Sequence, residues 1–332
     1  MYQPALGARL QRVRAPVVSM TLWILAVALS LSLGSIWLAP SAPLLALPEQ
    51  FAVQLGLGAG VGLIAACLLR RWLAALLFAF LAGAFAVQPL ASYPSVAVSD
   101  GSRLRVVSAN LWARSDDHSR TIETLLATDA DILGMMEVSP EWEAALAPVL
   151  AKYPHRIDCF AIDAECHTMV LSKLPFTKQL AGRSNPSMPL LAGGEVLWNG
   201  RPITILAMHL TRPLDRRIHD RGAVPSDLPA SRQSEQIAAM TAFANTLPPD
   251  LIVMGDFNAV PWSRVHRAFR AGTGLESAAG WTFTWPRWMP SILRLSIDHI
   301  LARGHLVVTR FEPGPKADSD HLPVIAEIGW RD

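Results

Sequence analysis

The residues best suited to chemistry in this sequence stand at the ends of apolar runs that have the composition of buried β-strands. Asn110 follows LRVVSA, Glu137 follows ILGMM and His209 follows ITILAM. The same placement recurs further along the chain for five more acids, amides and histidines: Asp256, Asn258, Asp298, Asp320 and His321. Burying a carboxylate costs several kcal/mol unless it is paired or binds a cation, so the pattern predicts a polar site with a metal ion or charged partners.

This set of residues is rich in oxygen donors. Its carboxylates and amides match the ligands that Mg²⁺ or Mn²⁺ prefer, whereas zinc favours sulfur and nitrogen. Singly, Glu137 also fits a helix start, and His209 also fits a structural role at a strand end. The GDFN segment that ends at Asn258 and the SDH segment that ends at His321 are more specific, because each adjoins an apolar strand directly. Together and in this order, the residues predict a catalytic site.

We expect strands with intervening helices to position these residues. The predicted strands are the apolar and β-branched segments at 104–112, 132–137, 168–173, 194–200, 201–210, 251–258, 296–304 and 323–330. Asn199-Gly200, between two of them, is the strongest hairpin signal in the chain. Predicted helices run through IETLLAT, start at Ser139 with Pro140 in the first turn, and cover 231–247. This mixture predicts a sheet-based sandwich with helices on the outside.

Six motifs carry a resemblance to a known family. They are SANLW at Asn110, GMMEV at Glu137, AMHLT at His209, GDFNAVP at Asp256 and Asn258, SIDHIL at Asp298, and SDHLPV at Asp320 and His321. In this order they resemble the endonuclease/exonuclease/phosphatase family, which contains pancreatic-type DNases, apurinic endonucleases, inositol polyphosphate phosphatases and neutral sphingomyelinases. The resemblance covers about residues 104–330. It implies an α/β fold, a two-sheet β-sandwich flanked by helices in four layers, and metal-dependent cleavage of phosphate esters.

The resemblance also implies roles for these residues. Glu137 would bind Mg²⁺ or Mn²⁺, with Asn110 nearby on the metal or on the phosphate. His209 and Asn258 would hydrogen-bond the phosphate oxygens, and Asp256 would orient or deprotonate the attacking water.

The last motif completes the expected catalytic set. His321 would face the phosphate as an acid or as an electrostatic stabiliser. Either Asp298 or Asp320 would hold a histidine in its working orientation, as carboxylates commonly do. Asp320 is also a candidate metal ligand. Leu111-Trp112 follow Asn110 in place of a second acid, so the richer metal site of some members is not expected.

Two further segments bear on the substrate. The first, after His209, is rich in arginine and reads as a solvated loop or as a basic rim for phosphate or an anionic head group. Its arginines are Arg212, Arg216, Arg217 and Arg221, and Arg232 opens the next helix beside Gln233. The second, WTFTWPRWMP, contains Trp281, Trp285, Trp288 and Met289. It fits packing in a rigid loop, stacking on a base, or contact with a bilayer interface. Arg212, Arg232 and Trp285 are the predicted substrate-binding residues.

The first hundred residues hold most of the excess hydrophobicity. The chain is 51% hydrophobic and only 17% charged, against about 25% charged residues in an average chain. Uncharged runs at 17–39, 51–69 and 72–90 predict about three transmembrane helices. The first is too long for the apolar part of a signal peptide. Gly83, Gln88 and Pro89 weaken the third, which leaves a re-entrant hairpin with the second as the alternative.

These runs divide the chain into three parts. Residues 1–90 form the predicted membrane anchor, 91–103 a linker, and 104–332 the catalytic domain. Arginines precede the first run and lie between the second and third, so the positive-inside rule places the N-terminus in the cytoplasm. Three spans then predict an integral protein of a bacterial inner membrane, with its catalytic domain in the periplasm or outside the cell.

Two cysteines of the catalytic part lie seven residues apart. Cys159 and Cys166 fit a disulfide, which is permitted outside the cytoplasm, or two free thiols; a zinc site with His167 is the less favoured interpretation.

Charge and composition narrow the function class. Residues 1–100 hold five of the 29 basic and two of the 27 acidic residues, so 101–332 carry a net charge of −1. Bulk charge therefore gives no support for nucleic-acid binding. The predicted function is metal-dependent hydrolysis of a phosphate ester, and the membrane anchor favours a lipid or lipid-linked substrate. The alternatives are an extracytoplasmic DNA or RNA endonuclease and, less favoured, a non-catalytic scaffold on the same fold.

Overall fold

The computed structural model describes residues 5–38, 43–92, 101–163, 165–213, 229–278 and 281–331. The chain divides into two compact units, Met1–Ala91 and Ser92–Asp332.

The first unit is helical in its described residues. Its helices are α1 (Ala5–Leu38), α2 (Leu47–Gln50), α3 (Ala52–Leu68) and α4 (Trp72–Ala91). By length and composition, two segments are long and apolar enough to cross a membrane: Val17–Leu38, with mean hydropathy 2.1, and Trp72–Ala91, with mean hydropathy 2.0. The run expected to be weakest, which contains Pro89, is therefore one continuous helix.

The middle run is the short one. Helix α3 has 17 residues and reaches about 25 Å at 1.5 Å per residue, against a hydrocarbon thickness of about 30 Å. It packs closely on α4, because Gly62 leaves room for the buried ring of Phe78, which a Cβ atom at that position would overlap. Among the described residues, two helices thus meet the length expected of a span, and α3 falls short of it.

The second unit contains twelve strands and five helices in its described residues. The strands are β1 (Leu104–Asn110), β2 (Ile132–Met136), β3 (His155–Asp158), β4 (Met169–Ser172), β5 (Phe176–Gly182), β6 (Leu191–Trp198), β7 (Arg201–His209), β8 (Leu251–Asp256), β9 (Glu276–Ser277), β10 (Asp298–Arg303), β11 (Leu306–Pro313) and β12 (Val324–Trp330). The helices are α5 (Ser119–Ala127), α6 (Pro140–Ala145), α7 (Ala147–Lys152), α8 (Pro229–Ala244) and α9 (Arg264–Thr273).

The strands form two six-stranded sheets that pack face to face. Their orders are β11-β12-β1-β2-β4-β3 and β5-β6-β7-β8-β10-β9. Alternate residues of β1 show the layering, because Val106 lies in the core between the sheets while Val107 packs with buried residues of α5 to α7. Residues of α8 and α9 pack on the outer face of the second sheet. The expected four-layer sandwich of α/β class is confirmed.

Local sequence signals are accurate where the chemistry of a turn or cap is strong. Asn199 and Gly200 both have positive φ, 54° and 76°, and they join β6 to β7 as the expected hairpin. The Ser139 side chain accepts a hydrogen bond from the backbone N–H of Trp142 and caps α6.

Four strands were not expected from the sequence: β3, β5, β9 and β11. All four are the edge strands of their sheets. An edge strand is open to solvent along one side and often carries charge, so it lacks the continuous apolar run that marks a central strand. Segment FTKQLAG of β5, with three exposed residues in succession, is an example.

Cys159 and Cys166 form a disulfide, with their Cα atoms 5.7 Å apart. The alternatives of free thiols and of a zinc site with His167 are thereby excluded.

A pair of buried histidines supports the loop that follows β8. His299 Nε2 lies 2.8 Å from the carbonyl oxygen of Ala259 and donates to it, and its ring centroid is 4.4 Å from that of His266. Burial lowers the pKa of His299 to about 4 and that of His266 well below its usual value. Both rings are therefore neutral at pH 7.

This pair makes stability sensitive to acid. Because the native pKa of His299 lies below the unfolded value of about 6.5, its contribution is complete above that pH and is lost as the pH falls toward 4. When the pH falls from about 7.5 to 5, the unfolding free energy of both proteins should decrease. We expect the decrease to be about 2 kcal/mol smaller in His299→Gln than in the wild type. Urea unfolding at both pH values measures the difference, and parallel losses in the two proteins would contradict the prediction.

Candidate active site

The strand register brings three of the expected residues to one end of the second sheet. Parallel strands β7 and β8 place His209 beside Asp256, and antiparallel β10 places Asp298 opposite Asp256. Gly255, with φ 144°, allows this approach, because a Cβ atom there would overlap the carbonyl oxygen of Met208. In the first sheet, parallel β1 and β2 pair Asn110 with Met136, so Glu137 emerges at the corresponding edge.

Asp256 lies at the centre of the site and is fully buried. Its Oδ1 accepts the backbone N–H of Asn258 at 2.8 Å, and its Oδ2 accepts the amide of Asn110 at 3.0 Å. The Nε2 atoms of His209 and His321 lie 3.4 and 3.7 Å from the same Oδ2. Burial would raise the pKa of Asp256, but the two histidines and these hydrogen bonds hold it well below its usual range. The carboxylate is thus ionised and joins the two sheets.

His321 is oriented by Asp298. Its Nδ1 lies 2.9 Å from Asp298 Oδ2, and both side chains are almost fully buried. Burial opposes a charge on the imidazole, but the carboxylates of Asp298 and Asp256 raise the pKa of His321 to about 10. His321 is therefore an imidazolium at neutral pH, with Nδ1 donating to Asp298. The alternative partner, Asp320, has its Oδ1 3.8 Å from the other nitrogen, Nε2.

Glu137 stands where the first sheet meets the site, in a left-handed conformation with φ 57°. Its Oε1 accepts from the Asn110 amide at 3.2 Å and from the Arg212 guanidinium at 3.0 Å. Its Oε2 accepts the backbone N–H of Ala113 at 3.1 Å. Burial would raise its pKa, but His209 and Arg212 lower it below the usual value. Such a backbone conformation costs energy for a residue other than glycine, and it is often found at functional sites.

Asn258 and His209 form a polar pair beside Asp256. Asn258 has φ 47°, and its amide donates to the carbonyl of Leu210 at 2.9 Å. The same nitrogen lies 3.2 Å from His209 Nε2. Burial would lower the pKa of His209, but Asp256 and Glu137 raise it. An imidazole whose pKa is raised and an amide N–H group suit an anionic ligand.

Asp320 connects the site to the tryptophan-rich segment. Its Oδ2 accepts from the indole N–H of Trp285 at 2.9 Å. Its Oδ1 is buried with no hydrogen-bond partner among the described residues. A buried carboxylate oxygen that accepts no hydrogen bond is suited to bind a cation.

The donor set fits a hard divalent cation. Glu137 and Asp320 offer carboxylate oxygens, as Mg²⁺ and Mn²⁺ prefer. In this structure Asn110 Oδ1 accepts the backbone N–H of Trp112 at 3.0 Å, and its NH₂ group faces the carboxylates. The ligand atoms of Asp256, Asp298 and His321 also lie within 4.8 Å of one another. The hydrogen bond between Asp298 and His321 already uses two of these residues.

Of the three residues expected to bind substrate, two contact side chains of the site among the described residues and one does not. Arg212 reaches Glu137, and Trp285 contacts Asp320. Arg232 is exposed on α8. Arg216, Arg217 and Arg221 lie outside the described residues.

Two buried side chains support the site more than their sequence context indicates. The Ser319 hydroxyl donates to the carbonyl of Asn110 at 2.7 Å and accepts the backbone N–H of His321 at 3.0 Å, so it ties the last motif to β1. The Gln233 amide donates to the carbonyl groups of Thr211, Phe257 and Asn258. Ser319 stands directly before the Asp–His pair, which is the only signal the sequence offered for it.

The arrangement combines an ionised buried carboxylate, the imidazolium of His321, the imidazole of His209 with its raised pKa, an amide donor and further carboxylate oxygens around one point. Such a set can bind a phosphoryl group, orient a water molecule and protonate a leaving group.

Comparison with solved structures agrees with the fold of the second unit. An endonuclease/exonuclease/phosphatase family protein from Bacteroides thetaiotaomicron superposes with a TM-score of 0.54 at 17% identity, covering 69% of this chain and 98% of that one. A humanized D. rerio TDP2 gives 0.53 at 15% identity, covering 69% and 100%. Beta toxin from Staphylococcus aureus gives 0.50 at 15% identity, covering 67% and 99%. At such identities the likeness shows the fold alone. No curated protein sequence matches the chain.

The family model described as the endonuclease/exonuclease/phosphatase family matches residues 107–321, which run from β1 to the histidine of the last motif. This chain therefore belongs to the endonuclease/exonuclease/phosphatase family, whose fold is that of phosphoesterases.

Proposed function

We propose that this protein is a membrane-anchored, Mg²⁺- or Mn²⁺-dependent phosphoesterase that hydrolyses a lipid or lipid-linked phosphate ester outside the cytoplasm. The observation that carries the enzymatic part is the complete polar set around Asp256. Its carboxylate lies within 3.7 Å of the Nε2 atoms of two histidines and accepts hydrogen bonds from both sheets. A non-catalytic scaffold would not need this arrangement, since buried charges are costly to keep.

Each side chain then has a chemical task. His209 and Asn258 donate hydrogen bonds to the phosphate oxygens. Asp256 accepts a hydrogen bond from the attacking water and orients it; its lowered pKa makes it a weak base, so orientation is the role that fits. As the water oxygen bonds to phosphorus and the P–O bond to the leaving group breaks, His321 Nε2 gives its proton to the leaving oxygen, while Asp298 holds Nδ1. The proton released by the water returns to His321 through solvent.

Glu137, with Asp320, would hold the cation, and the Asn110 amide would hold Glu137 in place rather than ligate the ion as the resemblance implies. When bound, the divalent ion neutralises charge on a phosphoryl oxygen and on the leaving group.

The metal assignment predicts the behaviour of Glu137→Gln. This change removes one charge from the proposed ligand set and keeps the shape of the side chain. Millimolar Mg²⁺ or Mn²⁺ should raise the melting temperature of the wild type, while the variant should show little or no rise. Thermal melting with and without metal measures this, with exposed Glu123→Gln of α5 as the matched control. An undiminished metal response in Glu137→Gln would reject Glu137 as a ligand.

The location outside the cytoplasm depends on whether α3 crosses the membrane. Three crossings would put the catalytic unit on the side opposite the arginine-rich N-terminus, and two would leave it in the cytoplasm. The disulfide between Cys159 and Cys166 favours three, because the cytoplasm keeps thiols reduced.

A reporter fused after residue 332 tests the topology. We expect alkaline phosphatase, which is active only outside the cytoplasm, to be active in the full chain. Deletion of residues 52–68 should abolish that activity, because it changes the number of crossings by one. A fluorescent protein that folds only in the cytoplasm gives the reciprocal readout. Its fluorescence in the full-length fusion would contradict the three-span topology.

Nucleic acid is the second candidate substrate. A D. rerio TDP2 of similar fold was solved with a single-strand DNA product, at a TM-score of 0.51 and 15% identity. The full-length protein with Mg²⁺ or Mn²⁺ should hydrolyse phospholipids in vesicles and should leave supercoiled plasmid and single-stranded DNA intact, with Asp256→Asn as the blank. Metal-dependent DNA cleavage that is lost in this variant, without phospholipid hydrolysis, would replace the lipid assignment by the nuclease.

A further inference from the structure

The exposed apolar side chains of the catalytic unit are concentrated beside the site. Five of the seven large apolar residues that are exposed in the described part of 101–331 belong to one stretch of 13 residues. We call them the aromatic rim: Trp281, Trp288, Met289, Ile292 and Leu293. The side chain of Trp288 is 65% exposed. Single exposed hydrophobic residues are ordinary, but a cluster of this kind marks an interaction surface.

The rim is held at the edge of the active site by hydrogen bonds. Trp285 donates its indole N–H to Asp320, and the backbone N–H of Arg287 donates to the Asp320 carbonyl at 2.8 Å. The backbone N–H of Leu322 donates to the carbonyl of Thr284 at 3.2 Å. The segment that carries the rim is therefore fixed to the loop that carries His321. A ligand on the rim would lie next to the catalytic residues.

The composition of the rim favours a lipid surface over a nucleic acid. Met289, Ile292 and Leu293 have no flat face for stacking on bases, whereas aliphatic side chains next to tryptophan suit the boundary between headgroups and acyl chains. Segment 281–297 contains no carboxylate, so it carries no negative charge that would repel an anionic headgroup.

The arginines of segment 281–297 stabilise the segment itself. Arg294 donates to the carbonyl groups of Met289 and Arg287, and Arg287 Nε donates to the Ser319 carbonyl. A basic groove for a polynucleotide backbone would need donors directed outward. The same chain also contains two helices that are long and apolar enough to cross a membrane, and these would keep the rim near a lipid surface.

We propose that the aromatic rim inserts into the interfacial layer of a lipid bilayer and so presents the phosphate ester of a membrane lipid to the site. This inference rests on the proposed phosphoesterase function and names the surface by which its substrate is recognised.

Insertion is measured with an environment-sensitive fluorophore on the full-length protein. The background is Cys67→Ala, which removes the free cysteine and leaves the disulfide. One label is placed by Trp288→Cys. The control is placed by Leu197→Cys, an exposed apolar position near the β6–β7 hairpin, at the opposite end of the sheet from His209. Both proteins are reconstituted in vesicles of phosphatidylcholine and phosphatidylglycerol that contain a quencher on the acyl chains.

The emission of the label at 288 should shift to shorter wavelength, and the quencher should remove most of its fluorescence. The label at 197 should show neither change. Quenching at 288 that does not exceed quenching at 197 overturns the proposal. The proposal is also overturned, in favour of a nucleic-acid surface, if single-stranded DNA added in place of vesicles shifts the emission of the 288 label to the blue.

Enzyme assays on a soluble and a lipid ester distinguish a defect in lipid recognition by the rim from a defect in the catalytic site. Trp288→Ser/Ile292→Ser/Leu293→Ser should hydrolyse a soluble phosphodiester, bis-(p-nitrophenyl) phosphate, at the wild-type rate. Its hydrolysis of phosphatidylglycerol in vesicles should fall about tenfold or more, equivalent to at least about 1.4 kcal/mol. Equal loss on both esters overturns the proposal. Quenching at 288 in a protein that hydrolyses neither ester leaves the rim supported and rejects the phosphoesterase function instead.

Discussion

Replacing Asp256 by asparagine should reduce kcat for phosphate-ester hydrolysis by about 10²-fold or more, the cost expected when a reacting group loses its positioning. The neutral amide can still accept from the backbone N–H of Asn258. It can no longer supply the negative charge that faces His209 and His321, nor the charged acceptor for Asn110. The attacking water therefore loses its orienting carboxylate. Steady-state rates on a soluble phosphodiester with saturating Mg²⁺ measure the effect.

The same strand provides the control for this variant. Asp250 lies just before β8, at the far end from the site, and accepts the backbone N–H of His305 at 2.7 Å. Asp250→Asn should leave kcat within about twofold, because no site residue contacts Asp250 in the described structure. Melting temperatures establish that both variants fold. A folded Asp256→Asn protein with kcat within tenfold of the wild type would remove Asp256 from the mechanism.

Asp298→Asn should lower kcat by about 10²- to 10⁴-fold. The side chain at 298 does not contact the substrate in the proposed mechanism, because it acts through His321. The carboxylate raises the pKa of His321 to about 10, although burial opposes the charge. Without it, the pKa of His321 falls, so the acid form is lost at a lower pH. In the wild type the rate should decline only as the pH approaches 10, and in the variant the decline should begin at a lower pH. Rate measurements across the pH range reveal the displacement.

A double-mutant cycle tests whether Asp298 acts through His321. His321→Gln alone should be about as damaging as His321→Gln combined with Asp298→Asn, because the second change has no imidazolium left to orient. Additive losses would mean that Asp298 has an independent role. An Asp298→Asn protein with the wild-type pH profile would argue that the pair is only structural.

The central strands were predictable because their pattern is physical and local. Strands β1, β8 and β12 are apolar runs that both layers of the sandwich bury, and each run is visible without knowing its partners. The Ser139 cap and the Asn199-Gly200 turn were also predictable, because a side-chain acceptor and positive φ values are requirements of a few consecutive residues.

The partner of His321 was not predictable from the sequence. Asp298 and Asp320 are both acids in strand-end motifs, and Asp320 is the neighbour in sequence. The antiparallel register of β8 and β10 brings Asp298 opposite Asp256, which places its carboxylate against His321 Nδ1. Asp320, one peptide away from His321, is directed instead to the indole of Trp285.

By itself, the sequence determined the family and the side chains available for chemistry, because these follow from the order of the motifs. Apolar periodicity indicated a sheet-based sandwich with outer helices, and the resemblance to the family implied its four layers. Only the tertiary structure decided which strands close the edges, which carboxylate orients His321 and that the tryptophan segment lies beside Asp320. These depend on pairings between residues that are distant in the chain. A hydrogen bond such as that from Asn110 to Asp256, 146 positions apart, forms only when both sheets have packed.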